Sequence, residues 1–141
     1  MSAIRWGLIF GAGIAAANLV LQFAATPFVP WQLVGVLSVS AWLTGTVAAG
    51  VFAGRTASLR LGASAAAIAA AVDLLRNAAV AIAVGVPGAP SSALQGSPTP
   101  GLIIAGTILE FMLIGPLAAG IGMAAARVTR RSPVPQTLIG D

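Results

Sequence analysis

The stretch LGASAAAIAAAVDLLRNAAVAIAVGV, residues 61–86, decides how this chain folds. Alanine is the strongest helix former, and here it dominates a run interrupted only by Asp73, Arg76 and Asn77. At 1.5 Å per residue the run spans roughly 39 Å as a helix, more than the roughly 30 Å of a bilayer's hydrocarbon. Three other stretches read the same way, at about 6–25, 31–54 and 101–126. The expected fold is therefore all-α, a polytopic bundle of four transmembrane helices within a single domain, 1–126.

Proline marks the ends. Thr26-Pro27-Phe28-Val29-Pro30 cannot continue a helix, and Pro87 to Pro100 holds four prolines and no charge, so both read as loops. Residues 127–141 are polar and read as a disordered tail. Composition agrees with a lipid solvent: 58% of the 141 residues are hydrophobic and 7% charged, against about a quarter charged in soluble domains, and the mean hydropathy is +1.00.

Net charge is +4, yet the placement of the arginines excludes nucleic acid as a partner. Arg5, Arg55, Arg60, Arg127, Arg130 and Arg131 cluster at segment ends, and threading four helices puts them all on one side. By the positive-inside rule that side, with both termini, is cytoplasmic. Reading residues 1–25 as a cleaved leader gives three helices instead, but that stretch is longer than a usual leader core and contains Asn18 and Gln22. The use of Arg to the exclusion of Lys, with abundant Ala, points to a GC-rich bacterial genome and a plasma-membrane address.

Helical periodicity of about 100° per residue gives each segment faces. Gly7, Gly11, Ala15, Asn18 and Gln22 align on the first. On the third, Gly62, Ala66, Ala69, Ala70, Asp73, Arg76 and Asn77 share one side, while Ile68, Val72, Leu75, Ile82 and Val86 form a bulky side expected to meet lipid. Gly50 and Gly54 form a GxxxG on the second, which suits close helix packing. Trp6, Phe28 and Trp31 read as interface anchors, and Trp42 as packing.

Depth counting assembles one polar layer. From the ends opposite the arginines, Asn18 lies about 11 Å in, Glu110 about 14 Å, Arg76 about 15 Å and Asp73 about 20 Å. An ionised group in the middle of a bilayer costs about 2.5–3.5 kcal/mol on insertion scales, so such groups turn inward and pair. The expected network has Arg76 bridging Asp73 and Glu110, with Asn18, Gln22 and Asn77 supplying hydrogen bonds. Two carboxylates against one guanidinium leave one negative charge, which a bound proton or cation would balance; Glu110, further along the chain from any Arg, is the expected titrating group. Pro116 frees the Met112 carbonyl one turn beyond Glu110 and is expected to kink the helix.

On the fourth segment Glu110 shares a side with Gly106, Thr107, Ile114, Leu117 and Ile121. Gly115, Ala119 and Gly122 lie on another side, expected to face outward as an interface with a second copy or another subunit unless the kink at Pro116 turns it back inward. With no Cys and no His, thiol chemistry and Cys/His metal sites are excluded, and no cofactor, no metal and no enzymatic activity are expected. The leading expectation is a structural or accessory subunit of a membrane assembly, a homo-oligomer or part of a larger complex. The alternative is a small oligomeric proton-coupled or cation transporter.

Overall fold

The computed structural model describes residues 2–25, 28–56, 58–84 and 100–131. It is all-helical: α1 (Ala3–Val20) runs into a π-helical turn (Leu21–Ala25), followed by α2 (Trp31–Thr56), α3 (Leu59–Val84) and α4 (Pro100–Arg131). Each of the four is long and apolar enough to cross a membrane. The Pro87–Pro100 loop lies outside the described residues except for Pro100, which opens α4. Proline suits that position, because the first N–H of a helix has no partner to lose.

Hydroxyls set the starts of α1 and α3. Ser2 Oγ accepts the Arg5 N–H at 3.4 Å, and Ser58 Oγ accepts that of Leu61 at 3.3 Å. These caps begin α1 and α3 earlier than the apolar runs suggest. At the other end α4 passes Arg127 and continues to Arg131, so the expected tail is helical over its first five residues, 127–131. The extension has a use: Arg130 donates from Nε and Nη2 to the Gly54 carbonyl oxygen, at 2.9 and 2.5 Å. That carbonyl belongs to the last turns of α2, where a cation is favoured. Hydroxyls within the helices are satisfied locally, as when Ser40 donates to Val36 O at 2.8 Å and Thr46 to Trp42 O at 2.7 Å.

Successive helices run antiparallel, and small residues decide which of them meet. A methyl group added to Gly7 would come within 2.7 Å of Ile68 Cβ, and one on Gly11 within 2.8 Å of Val72 Cβ, so α1 lies on α3 backbone to side chain. Ile68 and Val72 are therefore half-buried under the α1 glycines and do not belong to an outer face; the rest of the expected bulky side within the described residues, Leu75 and Ile82, is exposed. Gly50, Gly62 and Gly122 bring α2, α3 and α4 to a common crossing. A methyl on Gly62 would lie 2.8 Å from Gly50 O, and one on Gly122 would lie 2.7 Å from Gly62 O.

The outward ridge expected on α4 is thus corrected. Gly122 is buried against Gly50, Gly62 and Ala66 of the same chain, Gly115 is buried beneath the Phe111 ring, and Ala119 is half-buried. Side-chain volume is the reason: the least bulky stripe of α4 allows the closest backbone approach, and α2 and α3 offer glycines in register to receive it.

These contacts make α3 the spine. In its most apolar stretch 44% of residues are buried, against 11% in α4. Helices α2 and α3 each touch all three others, whereas α1 and α4 do not touch one another among the described residues. The bundle is tight at the arginine-bearing end, where Trp6, Phe10 and Phe52 also stack at centroid distances of 5.0–5.9 Å. Towards the other end it splays, and no residue from Pro100 to Ile114 of α4 is buried.

Candidate functional site

The splay opens onto the polar layer. Asp73 and Arg76 stand three residues apart on α3, close enough around the helix to pair, and Arg76 Nη2 lies 2.7 Å from Asp73 Oδ1. From α1, Asn18 donates Nδ2 to both oxygens of the same carboxylate, at 3.1 and 3.3 Å. Turning the Asn18 amide over would set its oxygen against the carboxylate, so this orientation is dictated by charge. Both Asn18 and Asp73 are buried.

Arg76 does not bridge to Glu110. Its second terminal nitrogen, Nη1, donates to Gln22 Oε1 at 2.9 Å, and among the described residues Arg76 has an ion pair with Asp73 alone. Neighbourhood decides this: α1 lies directly on α3 one turn above the Asn18–Asp73 contact, within reach of the guanidinium. The acceptor itself sits in the π-helical turn, whose extra residue per turn re-aims the side chains of Leu21–Ala25. Within this layer two buried polar atoms keep no hydrogen-bond partner among the described residues, Asn18 Oδ1 and Arg76 Nε. The Asp73–Arg76 pair is thereby fixed between two helices and is charge-neutral as a unit.

Glu110 is different. It is exposed, and among the described residues it has neither a hydrogen bond nor an ion pair, although it shares a cavity of about 430 Å³ with Asp73, Arg76 and Asn77. Asn77 is likewise exposed there. A second hollow of about 400 Å³ continues from it between α3 and α4, past Gly106 and Thr107, and the two have Gln22, Asn77 and Glu110 in common. The result is one groove whose lining runs from Ala81 and Leu102 down to Leu117, short of the glycine crossing.

Helix α2 contributes Ser38, Val39 and Trp42 to the wall, residues that sequence reasoning left aside or assigned to packing. A signal was present. Ser38 and Trp42 are four apart, hence on one face, and lie about 11 and 17 Å from the start of α2, the depth of the polar layer. No group of three or more metal-ligating side chains occurs among the described residues. Chemically, the arrangement holds one neutral ion pair rigidly and leaves one carboxyl free to take a proton or face a cation. In comparisons with protein-family models, curated proteins and solved structures, nothing matches this chain.

Proposed function

We propose that this chain is a small transporter of the bacterial plasma membrane, with both termini cytoplasmic, in which Glu110 exchanges a proton for a cation. One observation carries the reading: Asp73 is met by Arg76 and Asn18, while Glu110 faces an open groove without a partner. Were the layer purely a lock, the surplus carboxyl would be drawn into it, because an uncompensated charge at this depth costs several kcal/mol, roughly.

Proton release tests this directly. Adding sodium, potassium or an organic ammonium salt to weakly buffered protein in mild detergent should release protons from wild type. Glu110→Gln should release none, with the folded yield unchanged. Release that is equal in wild type and Glu110→Gln overturns the proposal.

A structural or accessory subunit is the second reading, favoured by the same unpartnered Glu110, which an Arg or Lys on a neighbouring subunit's helix would neutralise. Co-purification separates the two. A stoichiometric complex with a different membrane protein, together with a silent proton assay, supports the accessory role.

Orientation is tested separately. Cysteines introduced at Ser92 and Ser132 should react with impermeant reagents from opposite sides of the membrane, Ser132 from the cytoplasm, because α4 lies between them. Labelling of both positions from one side overturns the four-helix topology.

A further inference from the structure

The proposed role leaves the cation unspecified, and the groove's dimensions and wall narrow it. We infer that the groove binds a lipophilic organic monocation, its charged nitrogen at Glu110 and its apolar body against Trp42, Ile114 and Leu117. This rests on reading Glu110 as the charge-bearing group.

Volume is the first consideration. A space of about 430 Å³ falls in the range of pockets for organic ligands and far exceeds what a bare ion fills. Ligation is the second. Hard metal cations are held by about six oxygens; of the wall's two carboxylates that of Asp73 is already held by Arg76 and Asn18, which leaves Glu110 beside the neutral side-chain oxygens of Asn18, Ser38 and Asn77. Surface chemistry is the third. Beside that carboxylate stand Val39, Trp42, Leu74, Ile114 and Leu117, an apolar wall with one indole, whose π face attracts a poorly hydrated cation. A single negative charge set in such a wall matches a single positive charge on an apolar body. The adjoining hollow, which shares Glu110, is the way in.

Benzyltrimethylammonium and its neutral isostere neopentylbenzene separate charge from shape. Binding to purified protein in detergent would be followed by calorimetry and by indole fluorescence. The cation should bind at least tenfold more tightly than the isostere. Glu110→Gln should remove that advantage and leave the isostere's affinity as it was, and Trp42→Leu should weaken the cation several-fold. Equal binding of the two probes, or cation binding indifferent to Glu110→Gln, overturns the inference; because that comparison uses wild type and Glu110→Gln, it stands even if Trp42→Leu does not fold. Proton release by sodium or potassium without binding of benzyltrimethylammonium overturns the organic class and leaves the transport reading standing. Silence with every cation removes both.

Discussion

Arg76→Ala should abolish most of the folded yield in mild detergent, whereas Glu110→Gln should leave it within error of wild type. The asymmetry is geometric. Arg76 joins Asp73 to Gln22 and so fastens α3 to the π-helical turn after α1; removing it strands a buried carboxylate whose remaining side-chain donor is Asn18. Breaking a buried pair by deleting one partner costs about 3–5 kcal/mol, a large part of a domain's stability of about 5–15 kcal/mol. Glu110 has no such partner, and Gln keeps its shape. Size-exclusion profiles and thermal unfolding of the two variants check this, and an equal loss in both would show that Glu110 belongs to the structural network after all.

Gly122→Leu should be as damaging as Arg76→Ala, and Gly120→Leu nearly silent. A side chain at Gly122 would run into Ala66 and the Gly62 carbonyl, and because backbone of three helices converges there, no rotamer change makes room. Overpacking in a close-packed interior costs about 1–3 kcal/mol when side chains can adjust, and more when they cannot. Gly120, two residues earlier, has open space at the same test position and is exposed. Comparing the two variants separates a loss of packing from a general intolerance of α4 to bulk. If Gly122→Leu folds like wild type, the glycine crossing is not what holds this end together.

Much of this was legible in the residues. Four apolar runs gave four helices, the arginine pattern gathered one end of each at the same end of the bundle, and the spacing of Asp73 and Arg76 gave the ion pair. What periodicity could not supply was adjacency. Depth counting matched Glu110, about 14 Å in, to Arg76, about 15 Å in, while Gln22 counts only about 5 Å in; the choice of Gln22 follows from α1 lying on α3 beside the guanidinium, which depends on how Gly7 and Gly11 fit Ile68 and Val72. Orientation of α4 was ambiguous for a different reason. The stripe of Gly115, Ala119 and Gly122 suits any neighbouring helix, inside the bundle or outside it, and only the facing Gly50 and Gly62 turn Gly122 inward. The π-helical turn left no trace in composition.

That α1 and α4 share no contact has a mechanical consequence. Each is a leaf hinged on the α2–α3 spine, and the groove is the gap between the leaves. Widening or narrowing it breaks no α1–α4 packing, so the resistance to such motion comes from the hinges: the Gln22 and Asn18 bonds for one leaf, the glycine crossing and the Arg130 clasp for the other. The two hinges lie at different heights along the spine. A swing of α4 about the glycine crossing would therefore vary the mouth of the groove, whereas α1 is pinned beside that mouth by Asn18 and Gln22.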